Sequence, residues 1–257
     1  MAHRAEQESP AYIYYRLYND DGPLTVHDPC SPINAYIGRI LCSSIPPPHT
    51  AGTVVRRILH NEGASVTEGA LYPKIFAQSA LNSGDRFDVL DPKDARGRSA
   101  AQPVAVLISQ ARCVFSFPRA SPTQLGSNNE KDYVYYHLYT PNGEAASVLP
   151  VSPNQPAVGR IEKFRIMLPH SPRRLRHAIA LIEGAYENAE VYENINSLDS
   201  LTPRPELDYL VAGRADWESE PADKYINLGG SFGAATKPVV LVQVPVVQQR
   251  TKKPPRP

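Results

Sequence analysis

Two closely similar stretches, YIYYRLY at residues 12–18 and YVYYHLY at residues 133–139, decide how this chain is organised. Their spacing of 121 residues recurs further along the chain, in two Gly-Arg-Ile triplets, two Pro-His pairs and two Glu-Gly-Ala triplets. Residues 12–64 align with residues 133–185 without a gap, and 19 of these 53 positions are identical. Two copies at this spacing indicate a duplicated domain, because a solenoid needs at least about three short repeats.

The duplication sets the predicted domain boundaries. The segment between the copies is rich in Pro, Ser, Asn and Gly, a composition typical of linkers. The second copy carries about 15 extra residues before its last predicted strand, because its alignment offset grows from 120 to 135 there. We therefore predict a first repeat at 11–117, a linker at 118–131, a second repeat at 132–249 and a basic, proline-rich tail at 250–257.

Strand signals open and close each copy. YIYYRLY and its partner are rich in aromatic and β-branched residues, which favour strands, and Gly22 and Gly143 mark the turns that follow. The apolar runs VAVLIS at 104–109 and VVLVQVPVV at 239–247 predict closing strands buried on both faces. The glycines of the two Gly-Arg-Ile triplets are expected to fix a β-bulge.

One helix is predicted in each copy, between these strands. Thr50 and Ser171 are candidate N-caps, and Pro172 follows at the first helical position, where its missing N–H costs nothing. Apolar residues recur at helical spacing after both caps. Gly63 and Gly184 are expected to end the helices in the left-handed conformation.

This order of strand, strand, helix, short element and strand resembles that of the ubiquitin-like β-grasp. In that fold a hairpin leads into one helix that ends in Glu-Gly, as at 62–63 and 183–184 here, and the last strand lies parallel to the first. The resemblance implies an α+β protein of two tandem ubiquitin-like β-grasp domains. The repeated pattern is also similar to that of uncharacterised proteins from mushroom-forming fungi, a resemblance that implies no activity.

Side chains alternate across a strand, so each opening strand presents two faces. One face carries Ile13, Tyr15 and Leu17, with Val134, Tyr136 and Leu138 in the second copy, and suits packing against the helix. The other face is predicted to be open and to bind a protein partner, because Tyr and Arg are enriched at interface hot spots. The alternative is that these faces pack on each other or beneath the proline-rich loops. The candidate partner-binding residues are Tyr12, Tyr14, Arg16, Tyr18, Tyr133, Tyr135, His137 and Tyr139.

Composition excludes several classes of function. The 27 Lys and Arg residues nearly balance 26 Asp and Glu residues, which argues against a dedicated nucleic-acid-binding domain. The sequence contains no run of 18 apolar residues, so no membrane-spanning helix is expected. The first ten residues lack the apolar stretch of a secretory signal.

The three cysteines, Cys30, Cys42 and Cys113, form no CxxC motif and favour a reducing cytoplasmic or nuclear setting. No spacing typical of metal ligands or of a phosphate-binding loop occurs, so no metal and no cofactor is expected.

Three further patterns offer alternatives. Residues 229–233 match the GxSxG nucleophile elbow around Ser231, which suggests a hydrolase with an inter-domain site, but no His, Asp or Glu follows Ser231 as that chemistry requires. The basic residues Arg173, Arg174 and Arg176 are candidates for holding a phosphate or an acidic peptide. Basic residues before and in the second helix are followed by an acidic stretch from Glu183 to Asp223, with alternating acids at 216–223, which suggests homotypic assembly through the second domain.

The main prediction from the sequence is a non-enzymatic protein-binding or adaptor module. It uses the tyrosine-rich faces of its two opening strands. Duplication then has a physical use, because two weak sites on one chain give avidity when both engage.

Overall fold

The structure, a computed structural model of the chain, describes residues 11–64, 68–89, 91, 94–108, 129–197, 199–202, 226–228 and 232–243. Within these ranges the chain forms two mixed β-sheets, each accompanied by one α-helix, so the fold class is α+β. The elements follow one another in the same order in the two halves, which are called the first and second units below.

The first unit places its helix between an opening group of strands and a closing pair. Its elements are β1 (Tyr12–Asn19), β2 (Gly22–Leu24), β3 (Pro29–Ser31), β4 (Asn34–Leu41), α1 (Ala51–Asn61), β5 (Ala70–Tyr72) and β6 (Val104–Leu107). The strands run in the order β3-β4-β1-β6-β5, and β2 pairs with β1.

The second unit repeats this arrangement. Its elements are β7 (Tyr133–Thr140), β8 (Gly143–Glu144), β9 (Pro150–Ser152), β10 (Gln155–Glu162), α2 (Pro172–Glu183), β11 (Glu190–Tyr192) and β12 (Val239–Val242). The order is β9-β10-β7-β12-β11, with β8 paired to β7. A 3₁₀ turn, Lys163–Arg165, links β10 to the loop before α2.

The closing strand of each unit lies beside its opening strand. β6 pairs in parallel with β1, and β12 pairs in parallel with β7. The hairpin partners β4 and β10 pair antiparallel on the opposite side of the same opening strands. Parallel neighbours require a long crossover connection, and in each unit the helix lies on that connection.

Both helices begin and end where their local signals predict. The Thr50 side chain accepts a hydrogen bond from the backbone N–H of Thr53, and Ser171 accepts one from Arg174. Each cap satisfies a helix N–H that would otherwise lack a partner, which stabilises a helix by about 1 kcal/mol. Gly63 and Gly184 both have a φ of 67°, the left-handed conformation expected after a helix.

The core of each unit lies between the sheet and its helix. The inward face of β1 contributes Ile13, Tyr15 and Leu17, each at most 1% exposed, and β7 contributes Val134, Tyr136 and Leu138, all fully buried. From the helices, the core receives Val54, Val55, Ile58, Leu59, Leu175 and Ile179. The predicted helix-facing side of each opening strand is therefore confirmed.

Gly38 and Gly159 allow a tyrosine ring to lie flat against the neighbouring strand. Gly38 pairs with Tyr15, and a Cβ atom on Gly38 would stand only 2.5 Å from the Tyr15 hydroxyl oxygen and 2.7 Å from Cε2. Gly159 pairs with Tyr136 in the same way. The predicted irregularity is also present, because the register of β3–β4 and of β9–β10 shifts next to these glycines. Close approach of the ring is a reason for glycine that the bulge prediction missed.

The structure differs from the sequence prediction in the loops and at the ends of both closing strands, since β6 ends at Leu107 whereas its prediction ran to residue 109. The proline-rich loops contain the short strands β3 and β9, which lie at the sheet edges where proline is tolerated. β12 ends at Val242, whereas its prediction ran to residue 247, and residues 244–249 lie outside the described ranges.

Candidate interaction surfaces

Each sheet has an outer face, which is the side turned away from the helix. The first outer face contains Tyr12, Tyr14, Arg16 and Tyr18 of β1. The second outer face contains Tyr133, Tyr135, His137 and Tyr139 of β7. These are the residues predicted to bind a partner, and the structure places them differently along the two strands.

At the start of each opening strand, two tyrosines and one arginine form the same arrangement. The rings of Tyr12 and Tyr14 are 6.4 Å apart, and the Arg39 guanidinium lies 4.8 Å from the Tyr12 ring centroid. In the second unit Tyr133 and Tyr135 are also 6.4 Å apart, and Arg160 lies 4.4 Å from the Tyr133 ring. Aromatic and cation–π contacts at such distances are favourable. Tyr12 and Tyr14 are half-buried, whereas Tyr133 and Tyr135 are buried.

The other end of the first outer face is covered by the second unit. The covering segment is Lys163–Leu168, which lies between β10 and α2. Its Leu168 packs in one buried cluster with Tyr18, Tyr72 and Ala105 of the first sheet. The Phe164 ring lies 4.3 Å from the Arg16 guanidinium and 5.4 Å from the Tyr36 ring. The outer face expected to be open is therefore not open at Arg16 and Tyr18.

This contact buries charge. Arg16 is 8% exposed, and within the described part of the chain its Nε and Nη1 have no hydrogen-bond partner. Burial lowers the pKa of Arg16, because removal from water disfavours the charged form. Glu162 is also buried and accepts a 2.8 Å hydrogen bond from Arg165 Nε, and burial raises its pKa. Burial likewise raises the pKa of Tyr18 to about 12.

The second outer face forms two rows of side chains that cross the sheet. In one row Tyr192, Val240, His137 and Val158 are register partners on successive strands. In the next row the partners are Glu190, Val242, Tyr139 and Glu144. His137, Tyr139 and Tyr192 are half-buried, and the Glu144 side chain is 62% exposed. Two carboxylates therefore stand at the ends of a row with a tyrosine and a valine between them.

Contacts between the two rows hold the carboxylates against aromatic rings. Glu144 Oε1 lies 3.4 Å from His137 Nε2, and the His137 ring is 4.7 Å from the Tyr139 ring. Tyr192 donates its hydroxyl to Glu190. Burial raises the pKa of Tyr139, and the neighbouring Glu144 raises it further.

A hydrogen-bond centre recurs at the end of each helix, with a buried glutamate in the first unit and a half-buried one in the second, and the sequence patterns did not predict it. Tyr15 donates its hydroxyl to Glu62, which also accepts from the backbone N–H of His27 at 2.6 Å. In the second unit Glu183 accepts from Tyr136 at 2.5 Å, from Ser147 Oγ at 2.7 Å and from the backbone N–H of Val148 at 2.8 Å. Burial and the carboxylate raise the pKa of both tyrosines. The sequence repeat could have indicated this pair, since both copies have a Tyr and a Glu 47 residues apart.

The basic residues of α2 lie partly buried against the second unit. Arg173, Arg174 and Arg176 are half-buried, and Arg176 Nη1 donates to the Ala189 carbonyl at 3.1 Å. Just before the helix, His170 is 3% exposed, and burial lowers its pKa to about 4 despite a hydrogen bond with the backbone of Ile166. The phosphate or acidic-peptide site predicted at these arginines stays a prediction.

The remaining chemistry predicted from the sequence has few counterparts in the structure. Ser231, Cys113 and the alternating acids at 216–223 lie outside the described residues, whereas the acidic stretch is described from Glu183 to residue 202 except at residue 198. Cys30 and Cys42 are free thiols. The described ranges hold no group of three or more His, Cys, Asp or Glu residues placed to share a metal ion. Neither α1 nor α2 has the length and hydrophobicity needed to cross a bilayer.

One shallow cavity of about 300 Å³ lies in the first unit, where it is lined by Pro48, His49, Thr50, Gly84, Arg86 and Asp88. It lies at the start of α1 and away from both outer faces. Arg86 in its wall is ion-paired with Asp88 at 2.6 Å.

No protein-family model matches the chain, and no curated protein matches it at a significant level.

Proposed function

We propose that the chain is a non-enzymatic protein-binding module built from two tandem ubiquitin-like β-grasp domains. Support for the fold comes from the strand order, from the parallel pairing of the first and last strands in both units, and from the one α-helix in the described part of each unit, which has Glu-Gly at its C-terminal end. These are the features that the β-grasp resemblance implies.

The observation that carries the binding function is the covering segment on the first outer face. A polypeptide segment from another unit is seated there through an aromatic ring, an arginine and a leucine. Half-buried tyrosines with a neighbouring cation, such as Tyr14 beside Tyr12 and Arg39, have the composition of interface hot spots. The accessible parts of the proposed binding surface are therefore Tyr12 and Tyr14 in the first unit, with His137 and Tyr139 in the second.

Affinity capture from a native extract, followed by titration of the purified partner, tests the proposal. We expect Tyr14→Ala or Tyr139→Ala to weaken partner binding at least tenfold, because truncating a hot-spot tyrosine costs about 2 kcal/mol or more. Leu181→Ala is the matched control, since Leu181 is 40% exposed on α2 and lies off both outer faces. An unchanged affinity in both tyrosine variants would refute the proposal, provided that circular dichroism shows that the variants are folded.

A further inference from the structure

The two outer faces can be compared residue by residue through their strand registers. In the first sheet Tyr18 lies between Leu107 and Pro23, and Leu107 pairs with Ala70. In the second sheet Tyr139 lies between Val242 and Glu144, and Val242 pairs with Glu190. Pro23 and Ala70 of the covered face thus correspond to Glu144 and Glu190 of the second outer face.

The neighbouring row is also less positively charged in the second unit than in the first. Arg16 pairs with Ala105, which pairs with Tyr72, and the equivalent row of the second unit contains His137, Val240 and Tyr192. The second outer face therefore loses one arginine and gains two carboxylates, while its tyrosines are retained. Its two rows have the opposite charge to those of the first face.

The first outer face shows how such rows bind a polypeptide. There the sheet supplies the cation, Arg16, and the bound segment supplies the ring, Phe164, at 4.3 Å. On the second outer face the sheet supplies the rings of His137, Tyr139 and Tyr192, each within a row that holds or adjoins a carboxylate. A complementary segment must then supply the cations.

We propose that the second outer face binds an extended, arginine-bearing peptide segment of a partner protein. This inference rests on the proposed function and names the partner's chemistry. Arginine fits better than lysine, because its planar guanidinium stacks on aromatic rings and binds carboxylates through two hydrogen bonds. The pairing is electrostatic as well as aromatic, so it weakens as salt is added.

The row geometry also sets the spacing of the arginines. Glu190 and Glu144 lie on strands three inter-strand steps apart, which corresponds to about 14 Å at about 4.8 Å per step. Residues four apart in an extended peptide are separated by about 13 Å, at about 3.3 Å per residue. Two arginines separated by three residues therefore match both carboxylates when the peptide crosses the strands.

Fluorescence anisotropy with the full chain tests this inference. The probe is a fluorescein-labelled ten-residue peptide with arginines at its third and seventh positions and Ala, Ser and Thr elsewhere. The comparison peptides carry glutamates at those positions, or arginines at the third and fifth positions. We expect the first peptide to bind most tightly, and its affinity to fall as salt is raised.

The double variant Glu144→Gln with Glu190→Gln is expected to lower that affinity about tenfold, since it removes two partly exposed ion pairs that each contribute about threefold. The control Glu187→Gln with Glu193→Gln makes the same change of charge at exposed acids outside the two rows, and a change below about twofold is expected. Equal binding of the arginine and glutamate peptides, or an equal loss in the control pair, would overturn the inference. If the chain self-associates with rising concentration and the double variant does not, the inference is overturned, because a second copy of the chain then binds the second outer face.

The outcome also separates this inference from the proposed function. A captured partner whose binding needs Tyr139 but is unaffected by the double glutamine variant refutes the arginine-bearing peptide alone. A partner whose binding depends on neither Tyr14 nor Tyr139 refutes the proposed function itself.

Discussion

Replacing Gly38 by alanine tests the packing that joins the first strand to the helix. The added Cβ would stand 2.5 Å from the Tyr15 hydroxyl oxygen and 2.7 Å from Cε2, whereas real Cβ contacts are essentially never closer than 3.0 Å. Tyr15 is fully buried, and its hydroxyl bonds to Glu62, so the ring has no free space into which to turn. The substitution therefore forces the ring or the strand to move.

The expected cost follows from two effects. Overpacking a well-filled core costs about 1–3 kcal/mol. Displacing the tyrosine also weakens its buried hydrogen bond with Glu62, at a further cost of about 1 kcal/mol. We expect Gly38→Ala to lower the free energy of unfolding by about 3 kcal/mol. With an m-value near 2 kcal/mol/M, the urea midpoint falls by about 1.5 M.

Urea unfolding followed by circular dichroism measures this, with one control and one rescue. Gly84→Ala is the control, because no atom lies within 4 Å of its added Cβ and its φ is not positive. In a Tyr15→Leu background the clashing ring atoms are gone, and Gly38→Ala is expected to cost less than about 0.5 kcal/mol, since alanine also reduces the entropy of the unfolded chain. If Gly38→Ala costs as much in that background as in the wild type, the steric explanation is wrong.

Three further outcomes are expected. His170 has a folded-state pKa of about 4, below its ordinary value, so the unfolded chain takes up its proton first and stability falls as pH drops from about 6.5 to 4. His170→Gln should remove most of that loss, about 3 kcal/mol, in acid unfolding curves, and a curve that matches the wild type would contradict this role of His170. The raised pKa of Tyr15 and Tyr136 means that the unfolded chain loses these protons first above about pH 10, so Tyr136→Phe should flatten the fall in stability between pH 10 and 11. Phe164→Ala removes the ring beside Arg16, so the units should separate and the radius of gyration from X-ray scattering should rise, whereas Phe164→Tyr should leave it unchanged. Equal radii for both Phe164 variants would contradict the importance of this contact.

The elements that sequence alone predicted are those fixed by local chemistry. The opening strands follow from alternating aromatic and aliphatic residues, and the helix ends follow from Thr50, Ser171 and the glycines after each helix. The side of β1 that faces the helix was predictable for the same reason, because a strand places alternate residues on opposite faces. The short edge strands β3 and β9 were not predictable in this way, because proline argues against a strand unless that strand lies at a sheet edge.

The placement of the candidate site depended on contacts that local patterns do not encode. The alternation along β1 predicts that Arg16 and Tyr18 leave the core of the first unit, and they do. Whether they meet solvent depends on the position of Phe164 and Leu168, well over a hundred residues later. The position in the first unit that is equivalent to Phe164 is Ser43, so the repeat itself gave no sign of the contact.

The differences between the copies argue that their outer faces have separate roles. The hydrogen-bond centres are the same in both, with a tyrosine against a glycine and a glutamate at the helix end. The surfaces diverge, since the second unit has Phe164 where the first has Ser43 and Glu190 where the first has Ala70. If a second copy docked on the second outer face through its own equivalent segment, it would present Ser43 and Ser44, which supply neither a ring nor a cation. A head-to-tail array of copies, each docked as the covering segment docks on the first outer face, would therefore lack the ring and the cation of that contact. The acidic rows of the second outer face favour a partner of different chemistry.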